Sequence, residues 1–542
     1  MQLKNVKYNP PIENRSEYLR LDFNENILPL PDDIVRIFRS IPMETIPKYP
    51  EYSSLNNAIS RSFGLQNEEF TIVNGIDEGL RVITTAFLST EDRVAIPVPS
   101  FAMYEFYANI VGASVEKIPL LHPNFTYNLV KYRNTSSKMV IICSPNNPTG
   151  TSFPINELVE ICLQNPNTIY VLDQAYNFSK KEVLVFRKCP NLLVLRTFSK
   201  QYAVAGLRVG FIAGNPQLIS EVKKIISPYA VNAVATTILP QLLEISWFDQ
   251  FSSKISSNRK FLSEQIITRG FDVLPSNANF LLINFDQINS YVNQQLKERG
   301  ILIRNRDKDP LLKGYSRVTI GSREQMNQFL SALDEVLETP TIIFDMDGVL
   351  VDTSMSYATA IIKSILEFTG REISQEVISK IKMNPGYNSD WKTTQRILAD
   401  LGYDIPLQEI IPVFQKYYSL YFEREKLIPT KNFLGQLASK YRLGIVTGRP
   451  REEAMLALER FNIQQLFSVV ITIDDVINDK PDPEGINKAM SLLKARESFY
   501  IGDTINDIYA ASRAGANPVL FPLSDIKCKL KLNNLEDLEV IL

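Results

Sequence analysis

Residues 337–352 read LETPTIIFDMDGVLVD. Leu337 and Glu338 carry the pattern of a helix in its last turn. Pro340 discourages Thr339 from continuing that helix, because proline disfavours the helical conformation of the residue before it. A β-branched run then opens into Asp-Met-Asp-Gly. Asp345 and Asp347 are two positions apart at a strand end followed by Gly348, so the chain is expected to turn there, where both carboxylates can face one cavity. The stretch therefore places a seam between domains near Thr339-Pro340 and, almost without a linker, the start of a site.

A chain of 542 residues exceeds the size at which one hydrophobic core keeps growing, so two or three domains are expected. With 45% apolar and 22% charged residues it has the profile of an ordinary soluble globular protein. A net charge of −2 offers no general attraction to nucleic acid or to an anionic membrane. Cys143, Cys162, Cys189 and Cys528 show no CxxC spacing, which argues for inert thiols in a reducing compartment. His122 is the single histidine, so a multi-histidine metal centre is excluded. No run of 18 apolar residues occurs and MQLKNVKYNPP has no signal-peptide core, so the protein is expected in the cytoplasm.

Short β-branched runs alternate with longer helical patterns, the mark of parallel sheets covered by helices on both faces. The runs are MVIICSP (139–145), TIYVLDQAY (168–176), NLLVLRTFSK (191–200) and RVGFIAG (208–214), then TIIFD (341–345), YRLGIVTG (441–448), SVVITIDD (468–475) and SFYIGD (498–503). Polar residues gather at their carboxyl ends, where open α/β sheets place ligands. Residues 353–440 are mostly helical in pattern and read as an insert covering a site. Within it, the segment 386–391 either reaches substrate or forms a tight turn between helices.

In the first half, Lys200 follows a buried-type strand, where its amine can form a Schiff base with a carbonyl cofactor. Asp173 ends the neighbouring strand and can keep a pyridine nitrogen protonated, so that the ring acts as an electron sink. Tyr176 and Asn147 can hydrogen-bond a ring phenolate. Gly75, Ile76 and Asp77 open a helix whose terminal amides suit a phosphate, with Ser199 and Arg208 as further donors.

In the second half, Asp503 and Asp507 of GDTIND (502–507) add carboxylates to Asp345 and Asp347. So many like charges require a cation, and an oxygen donor set without histidine points to Mg²⁺. Lys480 and Thr447 suit phosphate oxygens, with Gly448 beside them. The chemistry read from these residues is phosphoryl transfer: Asp345 attacks phosphorus, the cation and Lys480 neutralise charge, and Asp347 handles the leaving-group proton.

The ordered set LDFNEN (21–26), KYP (48–50), NGIDEG (74–79), PSFAMY (99–104), SPNNPTG (144–150), DQAY (173–176), TFSKQYAVAGLRVGF (197–211), SNANF (276–280), GILIRNR (300–306) and SRVTIGSREQ (316–325) resembles the fold-type I pyridoxal-phosphate aminotransferases, most of all the histidinol-phosphate branch. The resemblance covers about residues 15–338. It implies a large α/β domain (about 30–240) and a small domain (about 1–29 and 241–338). It further implies that Lys200 holds pyridoxal 5′-phosphate and shuttles the substrate proton, that Tyr104 stacks on the ring, and that Thr197 joins the phosphate site. Asn24, Arg304 and Arg317 stand at substrate positions. The tyrosine matching Tyr49 reaches the cofactor phosphate of the other subunit, so a homodimer is implied. Gln174, Gln201-Tyr202 and the stretch LDFNENILPLP depart from the family pattern, which bears on the substrate and not on the reaction.

Residues 341–542, with DMDGVLVD, IVTGR, NDKPDP and GDTIND in order, resemble the haloacid dehalogenase superfamily, specifically its phosphatase-like members with a helical cap at about 353–440. The resemblance implies metal ligation by Asp345, the main-chain carbonyl of Asp347 and Asp503, with Asp507 nearby. Together the two resemblances imply transamination of a phosphorylated ketone with glutamate, followed by removal of phosphate from the amino-alcohol product, raising local product concentration at the second site. The favoured route is histidine biosynthesis, from imidazole-acetol phosphate to histidinol phosphate and then histidinol. The same logic fits dihydroxyacetone phosphate going to serinol phosphate and serinol, and the sequence does not separate the two ketones. Decarboxylation of phosphothreonine is a variant on the same fold. The alternative of another class is an aminotransferase whose second domain is a catalytically silent scaffold.

Overall fold

The computed structural model describes residues 14–382 and 389–542. By internal contacts the chain forms two units, Met1–Phe285 with Leu296–Ser331, and Asp286–Gln295 with Ala332–Leu542. No described helix is long and apolar enough to cross a membrane.

The first unit is built on seven strands, β1 (Phe70–Val73), β2 (Arg93–Val98), β3 (Ser114–Pro119), β4 (Met139–Cys143), β5 (Ile169–Asp173), β6 (Leu192–Thr197) and β7 (Gly210–Gly214). They lie in the order β1-β7-β6-β5-β4-β2-β3. Only β7 runs antiparallel to its neighbours; the rest are parallel. All five residues of β4 are buried, and their period-2 alternation feeds two cores: Val140 and Ile142 on one face, Met139, Ile141 and Cys143 on the other. Parallel pairing aligns the carboxyl ends, with Cys143 opposite Asp173 and Asp173 opposite Leu195. Helix α1 (Gly75–Phe87) starts two residues after β1. A smaller antiparallel sheet holds β8 (Asp272–Val273), β9 (Phe280–Asn284), β10 (Arg304–Asn305) and β11 (Tyr315–Thr319).

The second unit has six parallel strands. These are β12 (Thr341–Phe344), β15 (Arg442–Val446), β16 (Val469–Ile471), β17 (Ser498–Gly502), β18 (Asn517–Leu520) and β19 (Leu530–Lys531), in the order β16-β15-β12-β17-β18-β19. A short antiparallel ribbon of β13 (Val351–Asp352) with β14 (Lys426–Leu427) brackets the helical insert. The insert carries α2 (Tyr357–Thr369), α3 (Gln375–Lys382), α4 (Asp390–Asp400) and α5 (Leu407–Tyr421). The sequence expectation carried it to residue 440, but the helix Lys431–Lys440 follows the ribbon. Of the segment 386–391, residues 386–388 lie outside the described residues. Helix α6 (Ile505–Ala514) follows β17.

Candidate active sites

Adjacent strand ends bring the first site together. The SPNNPTG turn leaves β4, Asp173 closes β5, and Thr197–Lys200 leaves β6. Asp173 is buried, with Tyr104 donating to Oδ2 at 2.7 Å and the Ala175 amide to Oδ1 at 2.9 Å. Burial pushes its carboxyl up to about 6, partly offset by Tyr104 and the amide. Among the described residues no cation touches this acid. A buried carboxylate with only neutral donors is what a protonated pyridine nitrogen fits.

Lys200 is partly buried and donates to the Phe23 carbonyl at 2.9 Å, 5.7 Å from the centre of the Tyr176 ring. Burial, reinforced by Arg317, lowers its amine to about 8. That supplies a share of free amine at neutral pH, as a nucleophile for a carbonyl requires. Tyr176 is buried and accepts from Asn24 Nδ2 at 3.1 Å, and burial raises its hydroxyl to about 12.

The phosphate end is equally specific. Gly75 adopts φ +73° at the start of α1, and a Cβ there would meet Arg208 Nη2 at 2.7 Å. Arg208 pairs with Asp77 at 3.0 Å, while Thr197 donates to Ser199 Oγ at 3.0 Å and accepts from its amide at 3.1 Å. Amides, hydroxyls and a guanidinium thus converge at a helix N-terminus, a cradle that suits a phosphate. The residues fit pyridoxal phosphate.

Arg304 and Arg317 are register partners on β10 and β11. Like charges directly opposite destabilise an antiparallel pair, so an anion between them relieves repulsion. Arg317 is buried and donates to Asn147 Oδ1 and, at 2.5 Å, to the Asp22 carbonyl. Burial, with Arg306 and Arg304 adding repulsion, lowers it to about 10. Arg306, paired with Asp309, is a third guanidinium that the sequence reading passed over although it stands two residues from Arg304. Tyr104, expected to stack on the ring, is fully buried with its hydroxyl donating to Asp173. Tyr49 is 77% exposed and stacks on Tyr229 at 4.4 Å.

In the second unit, Asp345 follows β12 and Asp503 follows β17, its neighbour in the sheet. One carboxylate oxygen each of Asp345, Asp503 and Asp507 lies within 4.8 Å of the others, an all-oxygen donor set that fits Mg²⁺. Gly348 has φ +76°, and a Cβ there would meet Asp503 Oδ2 at 2.3 Å, so the turn after Asp347 demands glycine. Lys480 donates to Asp345 at 2.8 Å, to Asp507 at 2.6 Å and to the Tyr500 hydroxyl at 3.0 Å. Burial pushes Asp345 up against the pull of Lys480. Burial pushes Asp507 the same way, but Lys480 and the Thr504 cap outweigh it and hold this carboxyl low.

Asp347 turns its carboxylate away from that cluster onto Arg449, whose Nε and Nη2 lie 2.7 and 2.6 Å from Oδ1. That orientation leaves the main-chain carbonyl of Asp347 as its available donor. The far side of Arg449 is held by buried Glu425 at 3.2 Å, itself bonded by Ser356 Oγ at 2.8 Å. Arg449 escaped the sequence reading although it directly follows Gly448 in IVTGRP. Thr447 is buried with its Oγ1 accepting from the Arg449 amide at 3.1 Å. Thr447, Gly448 and Lys480 line one cleft, together with Ser389 of the insert.

Comparison with known proteins divides at the same place. The aminotransferase class I and II family model matches residues 17–333, and the haloacid dehalogenase-like hydrolase model matches residues 342–521. Histidinol-phosphate aminotransferase 1 of Oceanobacillus iheyensis is 33% identical over 334 residues, 60% of this chain and 93% of that protein. The crystal structure of histidinol-phosphate aminotransferase from Clostridium acetobutylicum shares the fold with a TM-score of 0.54 at 24% identity, over 59% of this chain and 98% of that one. L-threonine-O-3-phosphate decarboxylase from Porphyromonas gingivalis matches with a TM-score of 0.51 at 25% identity, over 59% of this chain and 99% of that one.

Proposed function

Because this chain belongs to the class I and II aminotransferases and continues into a haloacid dehalogenase-like hydrolase domain, we propose that it carries out two consecutive reactions. The first is transfer of an amino group from glutamate to a phosphorylated ketone. The second is Mg²⁺-dependent release of phosphate from the amino-alcohol phosphate so formed. The observation that carries the reading is the Arg304–Arg317 cross-strand pair beside Lys200, which calls for an anionic substrate where the amine works. The name of the Oceanobacillus relative favours imidazole-acetol phosphate as the ketone and histidine biosynthesis as the setting.

Pyridoxal phosphate, when bound, supplies the electron sink that weakens the bond from substrate Cα to hydrogen. Asp173 holds the proton at the ring nitrogen, and its low-dielectric surroundings make that ion pair strong. Asn147 and Tyr176 orient the ring oxygen, while Gly75, Ile76, Asp77, Thr197, Ser199 and Arg208 fix the phosphate. Lys200 Nζ, near its titration point, takes the proton from Cα and returns it. Arg304 and Arg317 hold the carboxylate of glutamate and then the phosphate of the ketone, since a guanidinium fork accepts either. The exposed ring of Tyr49 supports its use by a second copy of the chain in a homodimer.

In the second site, Mg²⁺, when bound, offsets the charge of the carboxylate cluster. Asp345 attacks phosphorus in line, Thr447 and the Gly448 amide hold phosphate oxygens, and Lys480 neutralises developing charge. Asp347, steadied by Arg449, gives a proton to the departing alkoxide and takes one from the water that follows.

The test is phosphate release with magnesium from histidinol phosphate, serinol phosphate and phosphothreonine by wild type and Asp345→Asn. Fast release from one of them, absent in the variant, supports the reading and identifies the product of the first step. Equal, slow release from all three overturns it. A second reading, decarboxylation in the first site, is favoured by the likeness to the Porphyromonas gingivalis enzyme, and carbon dioxide release from phosphothreonine distinguishes it.

A further inference from the structure

The helical insert holds a charge pair of its own next to Ser389, the insert residue that lines the phosphatase cleft. Lys382, the last residue of α3, and Asp390, the first of α4, stand 2.7 Å apart with side chains 35% and 13% exposed. Their neighbours place them against the catalytic groups. Ser389, the cap of α4, lines the cleft with Thr447, Gly448 and Lys480. Lys392, one turn into α4, reaches Asp479 of that cleft at 3.6 Å. Asp390 feels the charges of Asp347 and Arg449, and Lys382 those of Asp347 and Asp503.

The geometry of displacement decides what this pair meets. An in-line attack by Asp345 places the leaving oxygen on the far side of phosphorus, where Asp347 gives it a proton. The leaving alcohol then departs beside Asp347, whose charge both Lys382 and Asp390 feel. The other carboxylates near the site have roles or partners of their own. Asp347 is held by Arg449, Asp345 and Asp507 by Lys480, Asp479 by Lys392 and Asp482 by the Glu484 amide, while Asp503 belongs to the carboxylate group that fits a cation. Asp390 is the acid that the insert adds, and its partner is an ammonium on a flexible stem that another ammonium can replace.

We propose that Asp390 is the specificity residue of the phosphatase half, an ammonium-binding carboxylate that reads the amino group of an amino-alcohol phosphate, with Lys382 occupying that position until substrate arrives. The inference rests on the reading that this half hydrolyses such phosphates, and adds that the group installed by the first site is the feature recognised by the second. A phosphorylated ketone lacks the ammonium and is discriminated against, which protects the substrate of the first reaction from premature hydrolysis.

The experiment compares kcat/KM for serinol phosphate, its des-amino analogue 3-hydroxypropyl phosphate, and p-nitrophenyl phosphate, in wild type, Asp390→Asn and Asp390→Glu. Wild type is expected to prefer the amine about 10- to 100-fold, the worth of a charged hydrogen bond. Asp390→Asn is expected to lose that preference while keeping aryl phosphate hydrolysis within about threefold, and Asp390→Glu to retain part of it. Aryl phosphate hydrolysis also reports that each variant is folded. Equal rates on both alkyl phosphates in wild type, or an unchanged preference in Asp390→Asn, overturn the inference and leave the phosphatase reading standing. Failure to hydrolyse serinol phosphate and histidinol phosphate alike defeats the reading that this half acts on amino-alcohol phosphates, and the inference with it.

Discussion

Tyr104 donates its hydroxyl hydrogen to Asp173 at 2.7 Å, with both side chains buried under the carboxyl edge of the first sheet. The bond partly offsets the burial that raises the acid to about 6. Tyr104→Phe removes it and moves the acid further up, so more of it is neutral at a given pH. Transamination is expected to fall about 10-fold, the scale of a hydrogen bond to a charged group. The loss should be largest at low pH and shrink as pH rises, because the carboxylate then returns. A pH profile of kcat/KM for both proteins checks this.

Lys200 carries a second pH signature. Burial, then Arg317, lowers its amine to about 8, below the ordinary lysine value, so the folded protein favours the neutral form. The stability cost of this amine is fully present below about 8 and disappears as pH rises toward the unfolded lysine value. Uptake of pyridoxal phosphate by the cofactor-free protein, followed by its visible absorbance, should speed up with pH and level off above about 8. Arg317→Gln removes a repelling charge and should move that midpoint upward. Lys200→Ala should show no such absorbance at any pH.

Gly75→Ala tests the phosphate cradle by shape alone. The new Cβ arrives 2.7 Å from Arg208 Nη2 at a φ of +73°. A strained left-handed residue costs about 1–3 kcal/mol, and displacement of Arg208 adds to it. Cofactor affinity, read by equilibrium titration, should weaken about 10-fold or more, with phosphatase activity unchanged.

Lys480→Met leaves Asp345 and Asp507 buried without their shared cation. Removing one member of a buried ion pair costs about 3–5 kcal/mol. The second unit should unfold at a lower temperature, magnesium should restore part of the loss by neutralising the same carboxylates, and phosphate release should be abolished. Calorimetry with and without magnesium measures each effect.

Much of this was legible in the sequence because strand ends announce themselves. Thr-Ile-Ile-Phe before Asp345 and Ile-Tyr-Val-Leu before Asp173 are buried parallel strands, and each strand end carries its acid into the cleft. Cross-strand partners were not legible, since register is set by pairing between distant segments. Hence the opposition of Arg304 to Arg317 and the grip of Arg449 on Asp347 emerge only from the structure. Likewise, Lys382 and Asp390 sit at the ends of two helices whose approach no local pattern encodes.

The measurement that tests the account most directly starts from imidazole-acetol phosphate, with pyridoxal phosphate and magnesium present, and follows phosphate release with and without glutamate. The account predicts release that needs glutamate, disappears in Lys200→Ala and disappears in Asp345→Asn. Release that proceeds equally without glutamate, or persists in Lys200→Ala, would show that the second site acts independently of the first and would contradict it.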